Sequence, residues 1–184
     1  LAQWCRKAEV TIWAYCLMTN HVHLILVPGT PEGLRRAVGE AHRRYTRRIN
    51  FREGWRGHLW QARFASYVMD EPYLIAAARY VELDPVRAGL VTKPATYPWS
   101  SAAAHLARRD DDLVQVEPLL QLVPDWAGLL EGGLRSEELD RIEQHGRTGR
   151  PLGSEPFVER LSQQLGRRLA PGRRGRKPQR RAGN

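Results

Sequence analysis

Two strand-like segments separated by only two residues constrain the fold of this chain more than any other feature. Residues 10–18 are rich in β-branched and aromatic side chains, and residues 21–27 continue that pattern until a Pro-Gly pair stops it. A Thr-Asn pair lies between the two segments. Because so short a connection has no room for a crossover, the segments are predicted to pair as antiparallel neighbours in one sheet.

A helix is predicted over residues 31–51, where apolar residues recur at helical spacing. The stripe expected to be buried comprises Leu34, Val38, Ala41, Tyr45 and Ile49. Arginines occupy much of the remaining arc, so this helix presents cations to its surroundings. After a polar loop over residues 52–57, residues 58–69 are predicted as a third strand.

A second helix is predicted to begin at Asp70, an acidic N-cap residue, with Pro72 in the first turn. It extends to about residue 83, and an Asp-Pro pair then opens a separate short helix over residues 86–88. Strand, strand, helix, strand, helix around one sheet predicts an α+β fold of the ferredoxin-like (RRM-like) type, an antiparallel sheet with helices on one face. In that arrangement the first strand and most of the first helix would be missing upstream of Leu1.

The end of the chain is strongly basic. The whole sequence has 29 Lys+Arg against 20 Asp+Glu, a net charge of +9. Residues 167–181 contain no acidic residue and contribute Arg167, Arg168, Arg173, Arg174, Arg176, Lys177, Arg180 and Arg181. Such a cluster favours an anionic polymer as partner, because it releases counterions from phosphates, and a solubilising tail is the alternative.

The cysteines and apolar runs indicate the compartment. Cys5 and Cys16 are too few for a disulfide framework and are predicted to be buried thiols in a reducing cytosol. The longest apolar run near the start, residues 12–18, is too short to cross a bilayer, and no signal peptide is visible. A soluble cytoplasmic protein that does not enter a membrane is expected.

Two histidines offer a candidate metal site. His21 and His23 are two residues apart on a predicted strand, so both side chains leave the same face of the sheet. Neutral imidazoles placed together suit a divalent cation. Val22, Leu24 and Leu26 are expected on the opposite, packed face. Taken alone, a His-x-His pattern more often marks two surface histidines than a metal site, so the pattern by itself leaves both interpretations open.

The helix after Pro72 supplies candidate partners. Tyr73, Ala77, Tyr80 and Asp84 fall on one helical face. Tyr80 can then stand over the sheet edge with the histidines, and Asp84 can be a third, carboxylate ligand. A metal at a phosphate helps a tyrosine hydroxyl, otherwise a poor nucleophile, to attack it. Tyr80 as a packing residue, and Asp84 as the N-cap of the following short helix, remain the alternatives.

Four ordered motifs give a resemblance to a known family. They are residues 14–24 (AYCLMTNHVHL), 57–63 (GHLWQAR), 79–91 (RYVELDPVRAGLV, preceded by Tyr73-Leu) and 97–101 (YPWSS). In order and spacing, about residues 10–101 resemble the REP-associated tyrosine transposases and related insertion-sequence transposases of the HUH endonuclease superfamily.

The resemblance implies a ferredoxin-like catalytic domain that binds Mg²⁺ or Mn²⁺ through His21 and His23, with Tyr80 as the nucleophile. Tyr80 would attack single-stranded DNA at the foot of a hairpin of the REP-like palindrome kind. A 5′-phosphotyrosine link and a free 3′ hydroxyl would result, and that hydroxyl can later attack the link without ATP. The family usually has Asn where this chain has Asp84, a carboxylate suited to Mg²⁺.

Basic residues along the chain are expected to contact the DNA. They are Arg43, Arg44, Arg47, Arg48, Arg63, Arg167, Arg168, Arg173, Arg174, Arg176 and Lys177. Arg174 and Arg176 are similar to the core of an AT-hook, which places arginines in the minor groove. Trp55 and Trp60 are candidates for stacking on bases. The protein is expected to be associated with the nucleoid, as a monomer or a homodimer.

The predicted organisation has four regions. Residues 1–105 form the catalytic domain, incomplete at its start, and residues 106–134 an irregular linker. Residues 135–168 form a small DNA-binding appendage with two helices, over 136–145 and 154–168, and residues 169–184 a basic disordered tail. A domesticated, non-catalytic DNA-binding regulator is the main alternative function. A phosphodiesterase in which water attacks is another.

Overall fold

The predicted hairpin is present in a computed structural model of the chain, which describes residues 1–170. β1 spans Val10–Leu17 and β2 spans Val22–Pro28. They pair antiparallel in a register that places Cys16 opposite His23, with an irregularity between Ile12 and Ala14. Within residues 1–170 the sheet has these two strands. The α+β class is therefore confirmed, whereas the ferredoxin-like topology is not.

Helices account for most of the remaining regular structure. They are α1 (Ala2–Lys7), α2 (Glu40–Glu53, preceded by a π-helical segment, Arg35–Gly39), α3 (Glu71–Arg87), α4 (Ala102–Leu106, preceded by a 3₁₀ turn, Pro94–Thr96), α5 (Glu117–Leu122), α6 (Trp126–Glu131), α7 (Ser136–Thr148) and α8 (Glu155–Gln164). Among residues 1–170 no helix has both the length and the apolar character needed to cross a membrane.

The helix expected over residues 31–51 is present, but its buried stripe is only partly as predicted. Val38 and Ile49 are buried, whereas Tyr45 is 51% exposed. The π-helical segment explains the difference, because its wider turn rotates the residues that follow it relative to a regular α-helical stripe. The Tyr45 ring instead lies 5.9 Å from the Trp60 ring, at the surface.

The prediction of a third strand over residues 58–69 is wrong. This segment is irregular apart from a single parallel bridge between Met69 and Leu152. The Val68 carbonyl accepts from the Leu152 amide, and the Asp70 amide donates to the Leu152 carbonyl. Trp60 contacts α2 through the His42 carbonyl, and Tyr67 and Met69 pack against the apolar core. The backbone hydrogen bonds at the end of the segment go to Leu152 instead of to a sheet.

The predicted start of the second helix is confirmed, and its predicted end is wrong. The Asp70 carboxylate accepts from the Tyr73 amide as an N-cap, and its second oxygen accepts from the Ser154 amide at 2.8 Å. α3 then continues through Pro85 to Arg87, because the amides that follow the proline still bond, Ala88 to the Asp84 carbonyl at 2.9 Å. A residue inside a helix is not an N-cap, so that interpretation of Asp84 is excluded.

The description of residues 106–134 as irregular is also wrong. This segment contains α5 and α6, and Leu119 and Trp126 are buried in the same apolar core as β1 and α3. The two helices expected after residue 135 are present as α7 and α8, and Ile142 and Leu152 extend that core. The functional division of the chain into a catalytic domain and a DNA-binding appendage stays a prediction.

A buried carboxylate fixes α3 against its neighbours. Glu82 is fully buried, and its Oε1 accepts from Ser101 Oγ at 2.5 Å and from His105 Nδ1 at 2.6 Å. Its Oε2 accepts from Trp126 Nε1 at 2.8 Å. Ser101 Oγ in turn accepts from the Tyr15 amide of β1 at 3.0 Å. One side chain of α3 thus joins β1, α4 and α6, a connection that no sequence pattern indicated.

The prediction of two buried, unpaired thiols is confirmed, and it has a measurable consequence. Cys5 and Cys16 are both free and buried. Burial raises the pKa of Cys5, and burial together with the charges of Asp84 and Glu82 raises the pKa of Cys16 to about 12.

Since the thiolate is the reactive form, we expect Cys16 in the native protein at pH 8 to be alkylated about a thousandfold more slowly than free cysteine. Mass spectrometry after iodoacetamide treatment, with and without denaturant, measures this. Rapid native labelling of Cys16 would contradict the described burial.

Candidate metal centre

The histidines lie on the face of the hairpin that α3 covers. His21 immediately precedes β2 and His23 lies within it. Ile25, on the same face as His23, is 5% exposed, whereas Leu24 and Leu26 are only partly buried. The expectation that the opposite face is the packed one is therefore wrong. The reason is the position of α3, which packs on both strands from the histidine side.

α3 brings a carboxylate to the two imidazoles. His21 Nε2 lies 3.1 Å and His23 Nε2 lies 3.7 Å from the same oxygen of Asp84, Oδ2. The ring centroids of the two histidines are 4.7 Å apart. Candidate ligand atoms of the three residues all lie within 4.8 Å of one another. Two imidazoles and one carboxylate form a possible site for a divalent cation.

The hydrogen bonding of His21 fits a bound cation. His21 Nδ1 lies 2.6 Å from the side-chain oxygen of Asn20, which can only accept, so Nδ1 carries the proton. In the neutral ring, Nε2 then presents a lone pair toward the Asp84 carboxylate. Two lone pairs at that distance repel unless a proton or a metal cation lies between them. His21 thus resembles a metal-ligating histidine, whose ring is oriented by a hydrogen bond from its other nitrogen, here to Asn20.

The protonation of His23 also suits a ligand. Burial lowers its pKa below the ordinary value, although the neighbouring Asp84 carboxylate acts in the opposite direction. His23 is therefore predominantly neutral at pH 7. A neutral imidazole is the form that binds metals.

Tyr80 lies beside this group. The Tyr80 and His23 rings are 5.2 Å apart at centroid and nearly perpendicular. The structure thus brings Tyr80 and Asp84 of α3 together with both histidines, on the helical face predicted for them. Burial, and then the charge of the Tyr80 phenol, raise the pKa of a second tyrosine, Tyr67. Tyr73, on the same helix, contacts Arg141 of α7 instead.

Sequence reasoning missed two charged neighbours of the group. The guanidinium carbon of Arg87 lies 4.6 Å from the Tyr80 ring centroid, and Arg87 Nη1 lies 3.5 Å from Asp84 Oδ1. On its other side, Arg87 Nη2 lies 3.7 Å from Glu143 Oε1 of α7. Arg87 follows Asp84 by three residues, the spacing of neighbours on a helix. Because the helix was expected to break at Pro85, this contact was not predicted.

The predicted DNA-binding arginines lie on several elements. Arg43, Arg44, Arg47 and Arg48 are exposed on α2, Arg63 is exposed in the irregular segment, and Arg167 and Arg168 are exposed after α8. Arg43 is paired with Glu40 at 2.6 Å, and Arg44 lies over the Trp4 ring. Arg173, Arg174, Arg176 and Lys177 lie outside the described residues. A DNA contact of these side chains stays a prediction.

The two tryptophans expected to stack on bases differ in availability. Trp60 already stacks on His42, with ring centroids 3.9 Å apart, and its indole N–H donates to the His42 carbonyl. Trp55, just after α2, is 58% exposed. Trp55 is therefore the more accessible of the two.

Comparison with known proteins relates the first part of the chain to a family. Residues 1–84 match the family model described as "Transposase IS200 like". That range includes both histidines, Tyr80 and Asp84. No curated protein and no solved structure matches significantly.

Proposed function

We propose that the chain nicks and rejoins single-stranded DNA through Tyr80, because residues 1–84 match the model of an IS200-like transposase, an HUH tyrosine transposase family. The observation that carries the proposal is one cluster on one face of the hairpin. His21, His23 and Asp84 offer ligand atoms within 4.8 Å of one another, and the Tyr80 ring lies against His23.

The chemistry is a phosphoryl transfer to a phenol. Tyr80 Oη attacks the scissile phosphorus, an O–P bond forms to the tyrosine, and the bond from phosphorus to the 3′ oxygen breaks. The phenol proton passes to solvent, and the departing oxygen takes a proton to become a 3′ hydroxyl. The 5′ end stays linked to Tyr80. Because one phosphodiester replaces another, a 3′ hydroxyl can reverse the step without an added energy source.

Three side chains hold the site for this step. A Mg²⁺ or Mn²⁺ ion bound by His21, His23 and Asp84 would supply positive charge at the scissile phosphate. Burial keeps His23 neutral and ready to bind, and Asn20 orients the His21 ring. α3 carries both Asp84 and Tyr80, so one rigid element sets the distance between the ligand group and the nucleophile.

The substrate proposed is hairpin-bearing single-stranded DNA of the REP-like palindrome kind. Exposed cations on α2, Arg47 and Arg48 among them, and the exposed ring of Trp55 give the protein a surface on which a backbone can be neutralised and a base stacked. The basic residues after α8 add to the positive charge. DNA contact by this surface is part of the proposal.

One incubation tests the proposal. Wild-type protein is mixed with hairpin DNA labelled at its 3′ end and with Mn²⁺, and the products are resolved on a denaturing gel. We expect a labelled band at the mass of a protein–DNA adduct, lost with EDTA and restored by excess Mn²⁺. A cut product without an adduct would instead support attack by water. Salt-dependent binding without any cut would support a non-catalytic DNA-binding protein, and either result overturns the proposed mechanism.

A further inference from the structure

Arg87 occupies a place between the nucleophile and the ligand group. Its guanidinium carbon lies 4.6 Å from the centroid of the Tyr80 ring, and its Nη1 lies 3.5 Å from Asp84 Oδ1. Its side chain is 32% exposed, so solvent and a substrate can both reach it. A positive charge thus lies at the ring of the residue proposed to attack phosphorus.

The two carboxylate oxygens of Asp84 face different partners. Oδ2 faces the imidazoles, 3.1 Å from His21 Nε2 and 3.7 Å from His23 Nε2, while Oδ1 faces Arg87. One carboxylate can therefore serve the ligand group and orient Arg87 at the same time. A cation bound by the histidines and Asp84 would then lie on one side of this carboxylate and the guanidinium of Arg87 on the other, so both could contact one phosphate.

The contacts of Arg87 leave its donors available. Its distances to Asp84 and to Glu143, 3.5 Å and 3.7 Å, exceed the usual N–H···O range of about 2.7–3.2 Å. Arg79, six residues after Tyr73 on the same helix, is different. It donates to Glu138 at 2.6 Å and its side chain is only 14% exposed. Arg79 is held by a short hydrogen bond to its partner. Arg87 is oriented by two carboxylates, but neither is close enough to occupy its N–H donors.

Resting on the proposed function, we infer that Arg87 is a further catalytic residue, which binds a non-bridging oxygen of the scissile phosphate. The planar guanidinium matches the spacing of phosphate oxygens, and negative charge grows on those oxygens as Tyr80 attacks. Glu143 of α7 acts as a positioning residue, since it holds the far side of the guanidinium. Arg87 makes no new bond in the reaction and keeps its charge throughout.

The first measurement is the rate of adduct formation at saturating DNA and Mn²⁺. Arg87→Gln is expected to slow it by roughly 10²–10³-fold, the usual effect of removing one preorganised donor at a transition state. Arg87→Lys keeps the charge and is expected to fall between the wild type and Arg87→Gln. Arg147→Gln is the matched control. Arg147 also pairs with Glu143, at 3.4 Å, but its side chain is 79% exposed. The substitution therefore removes the same charge from beside the same carboxylate. We expect it to react at the wild-type rate.

The second measurement does not need catalysis. In EDTA, the affinity for hairpin DNA is compared with that for the same DNA carrying a neutral methylphosphonate at the cut position mapped with the wild type. Removing that charge is expected to weaken binding to the wild type and to Arg147→Gln, but to have little further effect on Arg87→Gln. Melting temperatures within a few degrees of the wild type show that the variants are folded.

The outcomes separate the two proposals. A wild type that forms no adduct overturns the proposed function, and the role of Arg87 with it. An active wild type whose adduct rate is unchanged in Arg87→Gln, or equally slowed in Arg147→Gln, overturns the role of Arg87 alone. An equal methylphosphonate penalty in the wild type and Arg87→Gln does the same.

Discussion

Replacing Tyr80 with Phe is expected to reduce the covalent protein–DNA adduct below detection. The substitution removes one oxygen and keeps the ring that lies against His23 and beneath Arg87. The ligand atoms of His21, His23 and Asp84 do not depend on that oxygen, so Mn²⁺ affinity should stay close to that of the wild type. The protein would still bind DNA but would lack the group that attacks phosphorus.

The matched control is Tyr67→Phe, which likewise deletes one phenol oxygen and keeps the ring. Burial raises the pKa of Tyr67, which makes its phenolate harder to form. Tyr67→Phe should therefore keep the adduct that Tyr80→Phe loses. Peptide mapping of the wild-type adduct locates the modified tyrosine independently. An adduct that persists in Tyr80→Phe, or maps to Tyr67, would remove Tyr80 from its proposed role.

Replacing Glu82 with Ala is expected to cause a large loss of stability. The side chain is fully buried and accepts from Ser101, His105 and Trp126. Its removal leaves those three donors without their acceptor in a site that water does not reach. Removing one partner of a buried charged cluster typically costs about 3–5 kcal/mol. The free energy of unfolding, obtained from urea titration, measures the effect.

A surface carboxylate provides the comparison. Glu143→Gln affects an acid whose side chain is 38% exposed and whose pairs with Arg87 and Arg147 are longer than 3 Å. Exposed pairs of this kind contribute at most about 1 kcal/mol. Glu82→Gln keeps the shape but turns an amide N–H₂ toward a donor, so its loss should lie between the two. Equal stability of Glu82→Ala and Glu143→Gln would show that the buried cluster does not hold α3.

The parts of the fold that were predicted correctly are those set by neighbouring residues. The hairpin follows from two strand-like runs with two residues between them, and the start of α3 from an acidic N-cap followed by proline. The positions of His21, His23, Tyr80 and Asp84 follow from the periods of a strand and a helix. These patterns depend on residues a few positions apart, so they can be recognised in the sequence alone.

The parts that were predicted wrongly depend on distant partners. Residues 58–69 have an alternating, strand-like composition, but their backbone partner is Leu152, far along the chain. Pro85 is a usual helix terminator, yet packing on the hairpin keeps α3 intact through it. α5 and α6 are too short to show a clear period and are stabilised by burial of Leu119 and Trp126. The Glu82 cluster joins residues of three helices and a strand, which no local pattern relates.

The carboxylate of Asp70, which caps α3, also holds the region ahead of α8. Asp70 accepts from Tyr73 with one oxygen and from Ser154 with the other, and the neighbouring Met69 bridges to Leu152. The helix that carries the proposed nucleophile is thus anchored at its N-cap by a stretch of chain about eighty positions later. Shortening the protein ahead of residue 152 would therefore strip the anchor from that helix. A shortened catalytic domain is therefore expected to hold the start of this helix less firmly than the intact chain does.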